Sequence, residues 1–117
     1  MAEKRILLVE DDPDVQFMLL HVLQAERYLA DGADSAATAR ARLAAERYDL
    51  VIADWRLPDG SGLDVVNEAS KQGAKTIVMS GYLFQIPRTT EPGHEFLMKP
   101  MRPSELIEAV KRAIGEP

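Results

Sequence analysis

The chain has 117 residues, with 19 Asp+Glu against 14 Lys+Arg and a formal net charge of −5; that is room for one domain with a core and the wrong sign for a nucleic-acid backbone or an anionic membrane surface. It has no cysteine, which excludes disulfides, thiolate metal sites and cysteine nucleophiles. Hydrophobic residues at 46% and charged residues at 28% match an ordinary folded domain, and the first apolar run, Ile6 to Val9, is too short for a signal-peptide core or a membrane span, so a soluble cytoplasmic protein is expected.

In chain order, Ile6-Leu7-Leu8-Val9 reads as a central parallel strand, because a strand covered on both faces has no polar alternation. After Glu10-Asp11-Asp12, Pro13 suits a first helical position, and Val15, Met18, Leu19 and Val22 recur at helical spacing, predicting a helix that ends near Glu26. Arg27 to Ala33 has few β-branched residues and is read as a short edge strand. Ser35 to Glu46, rich in Ala, Arg and Leu, predicts a second helix, and Leu50-Val51-Ile52-Ala53 a second buried strand with Asp54 at its end. Trp55 to Gly62 is dense in turn residues. Leu63 to Gln72 carries Val65, Val66 and Ala69 on a third helix that Gly73 closes.

Thr76-Ile77-Val78-Met79 is the next strand, with Ser80-Gly81 as its break, and Glu95 to Met98 the last, ahead of Lys99-Pro100. The final helix starts near Pro103, buries Leu106, Ile107, Val110, Ala113 and Ile114, and stops at Gly115. Between Gly81 and Gly93, two prolines and Thr89-Thr90 make poor helix material, so the fourth crossover helix is expected to be short or irregular. The predicted fold is α/β, a doubly wound five-stranded parallel sheet of order 2-1-3-4-5 in a single domain.

Position gives the polar residues their meaning. Asp11 and Asp12 follow the first strand, Asp54 the third, Ser80 the fourth and Lys99 the fifth, all at carboxyl ends, where open parallel sheets bind ligands. Aspartates converging from adjacent strands repel unless a cation offsets them, and an all-oxygen set without Cys or His favours Mg²⁺ or a similar hard ion. Each residue alone has a plainer reading: Asp12 as a helix cap, Asp54 as a turn former, Ser80-Gly81 as a turn, His21 and His94 as structural or surface residues. The plainer readings leave unexplained why an acidic pair, a lone acid, a hydroxyl and a lysine share one edge.

Leu7-Leu8-Val9-Glu10-Asp11-Asp12, Asp54-Trp55-Arg56-Leu57-Pro58 with Gly60 and Gly62, Ser80-Gly81 and Lys99-Pro100 together resemble the receiver domain of two-component response regulators, over essentially residues 1–117. The resemblance implies that Asp54 accepts a phosphoryl group from a histidine kinase or histidine phosphotransfer protein, in catalysis that is chiefly placement and electrostatics. It implies Mg²⁺ held by carboxylates of Asp12 and Asp54, by Asp11 mainly through water, and by the backbone carbonyl of Arg56. Lys99 would pair with Asp54 and then with phosphate; Ser80 would donate its hydroxyl to the phosphoryl group; Pro100 would aim Lys99 through a cis peptide.

Phe96 matches the family's switch aromatic but lacks the hydroxyl of the tyrosine often found there, so packing alone carries that switch. The implied output lies in a partner or further domain, with homodimerisation on phosphorylation and no nucleic-acid or membrane contact by this segment. Two rivals stand beside this reading. A pseudo-receiver acting as a phosphorylation-independent interaction module calls for a broken site, and a phosphatase with an aspartyl intermediate wants an acid where Arg56 stands. The segment after Ser80 resembles a receiver subgroup with a degraded fourth helix, and Tyr82 to Glu95 is expected to be mobile before phosphorylation.

Overall fold

The computed structural model describes residues 4–81, 94–99 and 101–117. The expected fourth crossover helix, the mobility assigned to Tyr82–Glu95 and the geometry of Pro100 fall largely or wholly outside the described residues. No helix among those described is long and apolar enough to cross a membrane.

The elements run β1 (Arg5–Val9), α1 (Pro13–Ala25), β2 (Leu29–Ala33), α2 (Ala36–Ala45), β3 (Leu50–Asp54), β4 (Arg56–Leu57), β5 (Gly60–Ser61), α3 (Gly62–Lys71), β6 (Lys75–Ser80), β7 (His94–Met98) and α4 (Pro103–Ile114). The five long strands form one parallel sheet of order β2-β1-β3-β6-β7, which is the predicted 2-1-3-4-5.

Side-chain alternation explains why the sheet is wound on both faces. Leu7, Val9, Val51, Ala53 and Val78 point into one core with Ala39, Leu43, Val65 and Val66 of α2 and α3. Ile6, Leu8, Leu50, Ile52, Ile77 and Met79 point into the other with Leu19 and Leu23 of α1 and Leu106 and Val110 of α4. Successive strand residues face opposite ways, so an unbroken apolar run can be satisfied only by helices on both sides. Each such aliphatic side chain contributes about 1.5–3 kcal/mol when fully buried.

Local capping sets the helix ends. Pro13 occupies the first turn of α1, and Ser35 and Ser61 accept amide hydrogen bonds from Thr38 and Leu63 at the starts of α2 and α3. Helix α1 ends in a left-handed residue, Arg27 at φ 74°; its N–H donates to the Gln24 carbonyl at 2.9 Å and the Tyr28 N–H to Leu23 at 3.2 Å, satisfying carbonyls the helix leaves open.

Two sequence expectations are corrected. Met18 lies on the outer face of α1, 48% exposed, and Leu23 takes the buried place instead, because the inward stripe runs 15, 19, 22, 23. The Trp55–Gly62 stretch is more than a turn: Arg56 pairs with Ser61 and Leu57 with Gly60 in an antiparallel hairpin, with Pro58-Asp59 as its two-residue tip. Burial of Leu57 anchors the hairpin. From its tip, the Asp59 carboxylate accepts from the Ala36 and Ala37 amides at 2.7 and 2.9 Å, closing the open end of α2.

Candidate functional site

Because the five strands are parallel, residues that end them share one edge. There the backbone continues the ladder past the strand ends: the Trp55 N–H donates to Met79 at 2.7 Å, and the Lys99 N–H to Ser80 at 2.8 Å. Asp54, Ser80 and Lys99, far apart in sequence, are thereby held side by side, and with Asp11, Trp55, Arg56 and Gly81 they line a cleft of about 230 Å³.

Charge organises the cleft. The Lys99 ammonium bonds Asp54 Oδ2 at 2.8 Å and also the Glu10 carboxylate. Glu10 is 1% exposed, yet each of its polar groups is bonded: its N–H donates to Ala33, its Oε2 accepts from the Asp12 N–H at 3.1 Å, its Oε1 from Lys99, and its carbonyl from the Gln16 amide at 2.9 Å. Burial raises the Glu10 carboxyl above the usual range, with the Lys99 hydrogen bond opposing that rise. For Lys99, burial pulls the ammonium down, but hydrogen bonds to Asp54 and Glu10 outweigh it and the net direction is up. The lysine is held as a cation.

Carboxylate oxygens of Glu10, Asp11 and Asp54 all lie within 4.8 Å of one another. Asp12, expected to supply a carboxylate here, is outside that group. Its Oδ1 instead accepts from the Asp14 and Val15 amides at 2.9 and 3.2 Å, capping α1. The acidic set at this edge therefore begins one residue earlier than the sequence reading places it. The reason is local: β1 ends at Val9, so Glu10 still sits in the buried ladder, while Asp12 has already turned into the helix. Three carboxylates against one ammonium leave a formal surplus of two negative charges, and the donors are all oxygen. Such a set fits a hard divalent cation.

The other expected residues are placed as follows. Arg56 is exposed in β4, its N–H 3.4 Å from Asp54 Oδ1. Ser80 is buried, 2% exposed, at the mouth of β6. Phe96, half-buried on β7, packs against the α2–α3 core with Trp55 and Leu63. Pro100 lies outside the described residues. His94 is structural, bridging Thr76 Oγ1 at 2.5 Å and Asn67 Oδ1 at 2.7 Å.

Sequence reasoning missed Glu10, although an acid directly abutting four apolar residues was the available signal. It missed Gln16 and the role of Gly62, for which the one-dimensional pattern offers none. A Cβ on Gly62 would fall 1.8 Å from the Asp54 carbonyl oxygen, so only glycine lets α3 start against the strand that carries Asp54.

Comparison with known proteins fits this geometry. The sequence model of the response regulator receiver domain matches residues 6–111. The chain is 34% identical to the response regulator protein PilR of Pseudomonas aeruginosa, over 97% of its own length and 27% of that protein's. It is 29% identical to the chemotaxis protein CheY of Thermotoga maritima, over 93% of its own length and 96% of that protein's. It spans about half the length of several other curated relatives. Among solved structures it is similar to the response regulator TrrA of Thermotoga maritima, described in complex with Mg(2+)-BeF, with TM-score 0.84 and 34% identity, covering 94% of this chain and 98% of that one.

Proposed function

This chain belongs to the response regulator receiver domain family, matched over residues 6–111, and from that membership we propose that Asp54 is the phosphoacceptor of a two-component relay, charged from a phosphohistidine on a histidine kinase or phosphotransfer protein. The observation that carries the proposal is the Lys99 ammonium 2.8 Å from Asp54 Oδ2, beside the carboxylates of Glu10 and Asp11.

An Asp54 carboxylate oxygen attacks phosphorus, forming one P–O bond as the P–N bond of the donor breaks, and the electron pair of that bond leaves with the imidazole nitrogen. When bound, Mg²⁺ neutralises charge on the transferring phosphoryl oxygens. With the Asp12 Oδ1 accepting the α1 cap amides, Asp11 and Asp54 would hold the ion together with the Arg56 backbone carbonyl, and Glu10, paired with Lys99, would stand behind them. Lys99 then passes from Asp54 to a phosphoryl oxygen, and the Ser80 hydroxyl donates to another.

Phosphorylation adds negative charge and acceptor oxygens at Asp54, draws Ser80 inward, and gives Phe96 room to pack deeper on the α2–α3 side. The face of β7 and its flanking helix is what a partner, an output domain or a second copy would read. The test is incubation with acetyl phosphate and MgCl₂ followed by intact mass measurement. A single phosphoryl adduct that is lost in Asp54→Asn is expected; no adduct on the wild type, or one that persists in Asp54→Asn, overturns the proposal.

A further inference from the structure

Gln16 lies on α1, a turn away from the acidic residues, and its contacts converge on the segment that carries them. Its side-chain Nε2 donates to the Glu10 carbonyl at 2.9 Å and to the Ala33 carbonyl at 3.1 Å, using both of its hydrogens. Two carbonyls facing one end of the carboxamide fix which end is nitrogen. Its backbone N–H donates to the Asp12 carbonyl at 2.9 Å. The side chain of Gln16 thus anchors the Glu10–Asp11 peptide, while its backbone N–H makes the ordinary first-turn helix bond to the Asp12–Pro13 peptide.

The second strand is shaped to receive it. Ala33 accepts from the Glu10 N–H in the last rung between β1 and β2; beyond that rung the Glu10 carbonyl has no strand to bond, and Gln16 supplies the missing donor. A Cβ on Gly32 would stand 2.7 Å from Gln16 Oε1 and 2.9 Å from its Cδ. Glycine at this position of the edge strand leaves the space the carboxamide fills.

We propose that Gln16 is a positioning residue for the acidic pair: by clamping the ends of β1 and β2 and fixing the Glu10–Asp11 peptide, it holds Glu10 and Asp11 at the separation from Asp54 that a divalent cation needs. This rests on the phosphoacceptor reading of the same edge. Asp11 is exposed and follows the end of its strand, so nothing in the sheet ladder itself fixes its carboxylate. Residues that orient metal ligands from behind change metal affinity even though they never touch the ion.

The experiment follows the amide resonances of Asp11, Asp54 and Trp55 in a MgCl₂ titration of the wild type, Gln16→Met and Gly32→Ala, with thermal midpoints measured alongside. Gln16→Met keeps the length and loses both donors; Gly32→Ala keeps Gln16 and crowds its amide, and carries the test if the first variant fails to fold. The expected result is a Mg²⁺ Kd raised about tenfold in Gln16→Met and in the same direction in Gly32→Ala. A lowered midpoint with an unchanged Kd assigns Gln16 a purely structural part and overturns the proposal. A wild type whose resonances ignore Mg²⁺ overturns the metal reading itself, and the positioning role falls with it.

Discussion

Gly62 and Asp54 approach so closely that a methyl group on the former would lie 1.8 Å from the carbonyl oxygen of the latter. The Gly62 N–H also donates to Trp55 at 2.9 Å, so the start of α3 is tied to the strand end it crowds. Gly62→Ala must move the Asp54 backbone or the helix. The expected outcome is a loss of about 1–3 kcal/mol in denaturant unfolding, together with slower formation of the proposed adduct from acetyl phosphate, because the Asp54 carboxylate is displaced from Lys99. Wild-type adduct kinetics in a destabilised variant would show that α3, rather than Asp54, gives way.

Lys99 sets the alkaline limit of the site. Its folded pKa is raised, so its contribution to stability is fully present below the ordinary value of 10.5 and is lost as the pH rises through the folded value. Lys99→Met removes that limb from a stability–pH profile. It also leaves Glu10, 1% exposed, with one fewer partner for its charge, and near neutrality it should cost about 2 kcal/mol. A Lys99→Met, Glu10→Gln double variant should recover part of that loss, since the uncompensated buried charge is gone.

Asp59 acts at the opposite end of the pH scale. Two backbone hydrogen bonds from Ala36 and Ala37 hold its carboxyl below the ordinary value of 3.8. A depressed carboxyl stabilises the fold above its unfolded pKa, and that stability is lost as the pH falls through the folded value. Asp59→Asn should therefore lower stability at neutral pH and flatten the profile below 3.8. Urea unfolding as a function of pH measures both effects; an acid limb of unchanged slope would place the protonation elsewhere.

Arg27 is the one non-glycine residue with positive φ among the described residues, at 74°. Left-handed backbone costs an L-residue roughly 1–2 kcal/mol, part of which glycine avoids and part of which it returns as unfolded-state entropy. Arg27→Gly should raise stability by about 1 kcal/mol, read as a higher midpoint in thermal unfolding. The site is far from this residue, so adduct formation should be unaffected.

Most of the architecture is legible in the chain because its signals are local and strong. Four consecutive apolar residues at Ile6–Val9 can hardly be anything other than a strand covered on both sides, and once the sheet is parallel, the carboxyl ends of its strands must gather Asp54, Ser80 and Lys99. What escapes is detail that depends on where a strand stops. Asp11 and Asp12 look equivalent in sequence, yet one residue of register sends Asp12 to the helix cap and draws Glu10 into the cleft. Gln16 and Gly32 are similarly opaque: a glutamine in a helix and a glycine in an edge strand become partners only when α1 is laid against β2. Asp59 reads as a turn former, and it is one, but its carboxylate serves a helix that began more than twenty residues before it.

The hairpin between Asp54 and α3 has a practical consequence. Pro58 and Asp59 form an exposed tip, with Gly60 exposed beside them, the sort of place where a protease would be tried or an epitope tag inserted. Its contacts make both costly. Nicking or lengthening the tip would withdraw the carboxylate that caps α2, pull Leu57 from the core, and release the close approach that Gly62 allows. A sequence graft here would strike Asp54 and a helix on the far side of the loop together, whereas limited proteolysis should spare this tip as long as the domain is folded.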